Sequence, residues 1–534
     1  MHIRKIYGPP GTGKTTKLLN EVKQDIKELD ITLKDIMYVS TTNTAIEEVR
    51  GRIGITKNNV GKYFKTLHGI ALSHLLTFKK DVQLYNAAKN TLKLYNFVET
   101  AKIKFCREIK VRYEPEAVSS NAPANQAFEA WSYVIAKYYH CFEDVDRCFS
   151  AFQRLYKDLP WLVRIIRRWL EYKKQMNYID YEDLLIYLYH NPPYALTPVV
   201  KFDEAQDFAD LEWEILRRTY IDVPPYTPLP RRITIAGDDD QTILSFRGAS
   251  AEKFLDFPTD EEIVLEKSWR VKENILKFAN SIIKHVEKRK SKKVEPVAEG
   301  GIVAYRSFAN IYQLTDFAAK IANKYSDKTV FLLFYTNSMV HEAEIELYRL
   351  KQPFRRLKGE SAWEKEVLTA WNIAAKLKSN KQLTYDEFKF LLRHMRAHLI
   401  SKGEKENMLS SFKQCGTPIQ FYTLTKLYSI QQLLDSKTFN FARTLDIIKT
   451  ARYTIKPAQV NLYVDTIHAS KGREANIVIV ANAINRKALY ENSIDDLRRV
   501  FYVAATRARD VCVVANIATH TQFLRKEVVA YATT

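Results

Sequence analysis

The stretch Arg4-Lys5-Ile6-Tyr7-Gly8-Pro9-Pro10-Gly11-Thr12-Gly13-Lys14-Thr15-Thr16 decides the fold. The run ending at Tyr7 predicts a strand, and the amphipathic segment opening at Lys14 predicts a helix. Between them stands GxxxxGK[ST], a pattern that carries meaning in this strand–helix context. Its glycines let the backbone wrap a phosphate with N–H groups pointing inward. The helix N-terminus adds a positive dipole. Gly8, Gly11, Thr12, Gly13, Lys14, Thr15 and Thr16 are therefore the candidate phosphate cradle. Lys14 is placed to reach the β- and γ-phosphates of a nucleotide, and the Thr15 hydroxyl to ligate Mg²⁺.

Outward from this loop, short β-branched runs alternate with long amphipathic stretches. Strands are expected at Arg4–Tyr7, Asp35–Val39, Val199–Phe202, Arg231–Ala236, Glu262–Leu265, Gly301–Tyr305, Val330–Phe334, Leu462–Thr466, Ile477–Ala481 and Val511–Ala515. Runs such as VFLLF and IVIVA are apolar at every position, as in strands buried on both faces of a parallel sheet. The strands fall into an early and a late set, which predicts two doubly wound α/β units. Residues 81–177 and 361–454 read as helical insertions into them.

Length and charge bound the partners. The chain has 534 residues, 82 Lys plus Arg against 62 Asp plus Glu, and a net charge of +20. A balance this basic points to a polyanionic partner, of which nucleic acid is the commonest. Hydrophobic residues at 46% exclude a disordered chain. Five cysteines without a CxxC pair form neither a disulfide framework nor a zinc signature. The N-terminus shows no apolar signal region and no stretch long enough to span a bilayer, so a cytoplasmic protein with no membrane partner is expected. The basic run Lys288–Lys293 reads as a solvated surface loop rather than a phosphate site or nuclear signal.

A second motif, Val199-Val-Lys-Phe-Asp203-Glu204-Ala-Gln206, delivers two adjacent carboxylates at the C-terminal end of a buried strand, where open α/β sheets bind ligands. Asp203 can hold Mg²⁺, and Glu204 can orient and deprotonate an attacking water.

With these pieces the chain resembles the superfamily I DNA helicases of the UvrD/Rep/PcrA type. The motifs run in order: the phosphate loop, DEAQ at 203–206, Ile235-Ala-Gly-Asp-Asp-Asp-Gln241 through Phe246-Arg247-Gly-Ala, Leu265-Glu-Lys-Ser-Trp269-Arg270, Val464 through Glu474, and Leu497 through Ala508 with its VAATRA. Smaller matches are Thr42-Asn43, Thr66-Leu-His68-Gly69 and Tyr178-Ile-Asp180-Tyr181-Glu-Asp183-Leu-Leu. The resemblance implies two RecA-like P-loop parallel-sheet domains, each with a largely helical insertion. The first would comprise 1–80 and 178–265 around the insertion 81–177; the second, 266–360 and 455–534 around the shortened insertion 361–454.

The resemblance also implies roles. Lys14, Glu204, Gln241, Arg270 and Arg507 form the catalytic set, with Arg270 and Arg507 reaching across from the second unit to the γ-phosphate when the cleft closes. Gln241 senses that phosphate, Glu474 accepts the ribose hydroxyl, and Trp269 either stacks on adenine or fills a core. Thr42, Asn43, Thr66, His68, Tyr181, Phe246, Arg247 and His468 are the implied DNA contacts, lining the opposite face of both units. Phe246 is either a base-stacking platform or core.

Several positions depart from the family. No glutamine-bearing adenine reader stands before Gly8, Leu244 and Thr41 replace aromatic residues, and Tyr335 falls where an arginine is usual. Short tails predict neither a fused nuclease nor an appended interaction module. The implied activity is ATP-driven, 3′ to 5′ translocation on single-stranded DNA with strand separation at ss/ds junctions. The alternatives are a translocase that displaces bound proteins without processive unwinding, and a non-motor DNA-binding protein. A monomer or weakly self-associating chain is expected, in a bacterium or a virus-infected cell, with no protein partner named by the sequence.

Overall fold

A computed structural model describes residues 1–55, 63–78, 91–113, 122–193, 197–227, 229–358, 365–379, 383–395, 402–414, 460–484, 489 and 493–524. The chain divides into two compact units. One comprises Met1–Gly301 with Tyr490–Thr506, the other Ile302–Leu489 with Arg507–Thr534.

The first unit holds strands β1 (His2–Tyr7), β2 (Ile36–Ser40), β3 (Phe64–Lys65), β4 (Val199–Asp203), β5 (Arg232–Gly237) and β6 (Glu261–Val264). Their order is β3-β2-β4-β5-β1-β6, and every pairing is parallel. Alternation along each strand feeds two cores. Ile6, Ile36, Tyr38 and Val199 pack with Leu18, Leu19 and Val22 of helix Lys14–Leu29. Tyr7, Met37, Val39 and Phe202 join the other face, whose core continues into Trp131, Phe152 and Trp169. Those three belong to helices Pro123–Phe142, Val145–Leu155 and Pro160–Met176, so this insertion shares a core with the sheet. Among the described residues of 81–177 there is no strand.

The second unit holds β7 (Ile302–Phe308), β8 (Val330–Phe334), β9 (Arg355–Arg356), β10 (Leu462–Thr466), β11 (Ala475–Asn482) and β12 (Ala508–Ile517). The order is β7-β12-β11-β8-β10-β9, again parallel throughout. Val330, Leu332 and Phe334 pack with Leu462, Val464, Ile479 and Val513. The described part of its insertion is helical and adds Ile373, Phe388 and Leu391 to that core. The rest of 361–454 lies outside the described residues. No helix among the described residues is long and apolar enough to cross a membrane.

Residues 266–301 group with the first sheet rather than with the second. So does helix Ile494–Ala505, which packs on helix Glu273–Ile283. The chain then enters the second unit at Arg507, one residue before β12.

Candidate nucleotide and DNA site

The phosphate loop leaves the C-terminal end of β1, where Gly8 N–H donates to the Gly237 carbonyl at 2.9 Å. Lys14 lies back over Gly8, and its ammonium donates to the Gly8 carbonyl at 2.8 Å. A Cβ on Gly8 would meet Lys14 Cγ at 1.9 Å, so that glycine makes room for the lysine stem. Thr12 closes the loop by donating its hydroxyl to the Pro9 carbonyl. Gly13, at φ +81°, caps the helix in a backbone region that suits glycine, and Thr16 is exposed in the first turn.

The second motif arrives beside this loop because β4 lies two strands from β1. Thr15 Oγ1 donates to Asp203 Oδ2 at 2.8 Å, and the buried Tyr38 hydroxyl donates to the same oxygen at 2.8 Å. Burial and the neighbouring Glu204 push the Asp203 carboxyl up to about 6, against the pull of Tyr38, Thr15 and Lys14. Burial and the same carboxylate raise Tyr38 well above the usual phenol range. Glu204 stands 3.7 Å from the Lys14 ammonium. Its backbone is left-handed at φ +53°, a strained region for a glutamate that persists where surrounding structure holds it.

Gln206 joins this motif to the next. Its amide donates to Glu204 Oε2 at 2.6 Å, while its carbonyl accepts the Asp238 N–H at 3.0 Å. Asp238 Oδ2 in turn accepts Gln241 Nε2 at 2.6 Å. A continuous hydrogen-bond path thus runs from Glu204 to Gln241.

Arg270 differs from expectation in where it comes from. It belongs to the first unit, on a segment stitched directly to the phosphate loop. Trp269 N–H donates to the Gly11 carbonyl at 2.8 Å, and Ser268 Oγ donates to the Pro10 carbonyl at 2.9 Å. The cause is β6, which pairs with β1 and so delivers this segment beside the loop. Trp269 is 65% exposed with the Lys267 ammonium 4.3 Å from its ring, so its core reading fails.

Candidate DNA contacts of the first unit at Thr42, Thr66 and Phe246 follow strands at the same ends as the phosphate loop. Parallel strands send all their following loops to one side. Thr42 follows β2 and caps helix Asn43–Ile53 by accepting the Ala45 N–H; Asn43 is exposed beside it. Thr66 follows β3 and accepts the Gly69 N–H. His68 packs edge-on against Tyr181 at 5.9 Å, and burial lowers its pKa to about 4, making it a neutral donor or acceptor at pH 7. Phe246 follows β5 and is 52% exposed, which removes its core reading; the exposed Arg247 lies 5.7 Å from its ring.

In the second unit the candidates divide between edges. His468 follows β10 and packs edge-on against Tyr335, which follows β8. Glu474 and Arg507 instead immediately precede β11 and β12. Glu474 pairs with Arg509, and the buried Arg507 donates to the Arg473 carbonyl.

A family model described as the UvrD/REP helicase N-terminal domain matches residues 3–262, and one described as the UvrD-like helicase C-terminal domain matches 461–515. The chain belongs to the UvrD/Rep/PcrA-type superfamily I helicases. The ATP-dependent DNA helicase PcrA of Leuconostoc citreum is 25% identical over 399 residues, covering 68% of this chain and 49% of that protein. The DNA helicase II of Haemophilus influenzae is 26% identical over 412 residues, covering 70% and 51%. That of Escherichia coli is 23% identical over 385 residues, covering 67% and 50%. The chain thus spans about half the length of these curated relatives. As in that family, its two α/β units are RecA-like.

Sequence reasoning missed Tyr38, Gln206, Asp238 and Ser268 as participants. Tyr38 carried a weak signal, a hydroxyl on a buried strand that needs a partner. The basic run Lys288–Lys293 is surface at Lys288, Ser291 and Lys293, as the sequence suggests, but not at Lys292. Lys292 is buried against the GDDDQ carboxylates, because three buried acids require a cation.

Proposed function

We propose that this chain is an ATP-hydrolysing motor that moves 3′ to 5′ along single-stranded DNA and separates strands at ss/ds junctions. The observation that carries the reading is the convergence of Lys14, Thr15, Asp203 and Glu204, with Thr15 2.8 Å from Asp203 and Lys14 3.7 Å from Glu204. A phosphate cradle, a cation and a second carboxylate are what phosphoryl transfer to water requires.

The donor set fits Mg²⁺, since a hydroxyl and a buried carboxylate already meet there. Thr15 and Asp203 would hold the ion, which when bound neutralises charge on the phosphate oxygens. Glu204 takes the proton of the attacking water, and Gln206 orients it by hydrogen bond. Lys14, Arg270 and Arg507 are the proposed cations for charge developing on the γ-phosphate. The exposed Phe246 offers a stacking surface for a base, beside Arg247 for a phosphate.

ATP turnover and unwinding of forked duplexes with a 3′ or a 5′ tail test this. Turnover should rise with single-stranded DNA, and only the 3′-tailed fork should open. Opening of the 5′-tailed fork alone reverses the polarity. Stimulated turnover without opening replaces unwinding with translocation, and absence of turnover leaves a DNA-binding protein.

A further inference from the structure

The basic segment after helix Glu273–Ile283 sends the side chains of Lys292 and Arg289 inward from the surface of the first unit. The Lys292 ammonium lies 2.7 Å from Asp238 Oδ1, 2.5 Å from Asp239 Oδ1 and 2.9 Å from Asp240 Oδ2. Its side chain is 2% exposed, and the three aspartates are fully buried. Arg289 grips Asp240 with a fork, Nε to Oδ1 at 2.8 Å and Nη2 to Oδ2 at 2.6 Å. Lys290 N–H donates to Asp239 Oδ2 at 2.9 Å. With Gln241 on Asp238 Oδ2, each carboxylate oxygen of the triad has a donor. Charges taken this far from water persist only when paired and hydrogen-bonded. Burial works against the charged Lys292, but the three carboxylates outweigh it and raise its pKa.

The segment faces two ways. Toward the nucleotide site, Asp238 holds Gln241 and, through Gln206, Glu204. On its other side, helix Ile494–Ala505 grips its backbone. Arg498 donates to the His285 carbonyl at 2.7 Å, Arg499 to the Lys288 carbonyl at 3.1 Å, and Asp495 accepts the Glu287 N–H at 3.0 Å. That helix carries the VAATRA motif, which ends at Arg507 and Ala508.

We propose that Lys292, supported by Arg289, is a positioning residue for ATP hydrolysis: it neutralises the aspartate triad and so fixes Gln241 and Glu204, on a segment tethered to the VAATRA helix. This rests on the nucleotide chemistry proposed above. Lys292 does not itself touch the substrate in this scheme. Its loss should therefore spare nucleotide binding, which depends on Lys14 and Thr15, and slow the chemical step.

The test compares Lys292→Met with the parent full chain in DNA-stimulated ATP turnover, with binding of a non-hydrolysable ATP analogue and thermal unfolding measured alongside. kcat should fall about 10-fold to 100-fold, the scale of a small misplacement of reacting groups. KM and analogue affinity should stay within about threefold, the signature of an interaction made in the transition state. The double variant Lys292→Met/Asp239→Asn removes one charge of each sign and should recover most of kcat. Parent-like kcat in folded Lys292→Met overturns the proposal. So does joint loss of analogue binding and stability without recovery in the double variant, which would make the segment a staple only. If Lys292→Met fails to fold, Arg289→Lys decides. It keeps the charge but loses the fork, and kcat should fall about fivefold at unchanged KM; parent-like kcat overturns the proposal. Lys14→Ala in the same assay separates the two levels. Turnover by that variant sinks the nucleotide-site reading, whereas its inactivity beside parent-like Lys292→Met sinks only the positioning role.

Discussion

Gly11→Ala should damage both stability and turnover, for a reason that can be worked from the contacts. A Cβ there would lie 2.5 Å from Arg270 Cβ, 3.0 Å from Ser268 Oγ and 3.2 Å from Arg270 N. Carbon atoms pack comfortably at about 3.5–4.0 Å, so the gap must open by about 1 Å. The neighbour cannot yield by swinging a flexible tip, because the clash is with Cβ and backbone. That backbone is pinned by Ser268 Oγ to the Pro10 carbonyl, Ser268 N–H to the Glu295 carbonyl and Trp269 N–H to the Gly11 carbonyl. Gly11 also sits at φ +74°. Left-handed backbone costs alanine about 1–2 kcal/mol, and overpacking adds about 1–3 kcal/mol.

Gly13→Ala is the control. Its φ is +81°, but the nearest neighbour of an added Cβ is Thr16 Cβ at 3.9 Å, an ordinary contact. It meets the backbone cost without the collision. Denaturant unfolding should therefore show Gly11→Ala less stable than Gly13→Ala by about 1–3 kcal/mol. At saturating ATP, kcat of Gly11→Ala should fall further still, by about 10²-fold if Arg270 is displaced by the distance the clash demands. Equal stabilities would refute the packing argument. Equal kcat values with unequal stabilities would show that turnover does not depend on where this segment holds Arg270.

Glu204→Gln should bind ATP as the parent does while kcat falls about 10²-fold, since shape is kept and the base is lost; single-turnover hydrolysis at parent rate would reject the assignment. Phe246→Ala should keep its fold and basal ATPase but lose about 1–3 kcal/mol of single-strand affinity by fluorescence anisotropy; unfolding would contradict its exposure. Affinity for single-stranded DNA should fall steeply between 50 and about 200 mM salt, because the net charge of +20 favours counterion release; a flat salt response would assign the charge another role. Burial pushes the Glu212 carboxyl up to about 7 from 4.5. The folded state thus binds the extra proton between those values. This contribution to stability is full below pH 4.5 and lost as pH rises through 7. Glu212→Gln, which can still accept the Ala209 N–H, should match the parent near pH 4 and exceed its Tm above pH 7; a pH-independent difference would refute the linkage.

The ten sequence-predicted strands all form; eight carry buried residues and write their apolarity into consecutive positions, whereas Glu261–Val264 and Ile302–Phe308, at the sheet edges, are only partly covered. The two further strands, Phe64–Lys65 and Arg355–Arg356, are two residues long and offer no period to read. The phosphate loop was legible for a similar reason: its glycines, lysine and threonine act within one turn of chain. The origin of Arg270 was not legible. Its placement follows from β6 pairing with β1, a contact about 257 residues long in sequence, as between Arg4 and Glu261.

The basic run is the sharper case. Six residues of KRKSKK look solvated when only their neighbours in sequence are considered, since adjacent like charges repel and water is their cheapest partner. The structure supplies what spacing could not, three buried aspartates some 50 residues earlier, as in the Lys292 contact with Asp238. Yet the need for such a partner was written in GDDDQ itself. Asp238, Asp239 and Asp240 follow a buried strand, and three carboxylates cannot enter an apolar interior without compensating cations. A charge run is therefore best read together with the strongest buried cluster of opposite sign. In this chain that pairing joins the residue proposed to sense the γ-phosphate to the residue proposed to activate water, through Asp238 and Gln206. From a segment that is largely surface, Lys292 and Arg289 turn inward as the counter-charge on which, in the proposal above, the geometry of the candidate site depends.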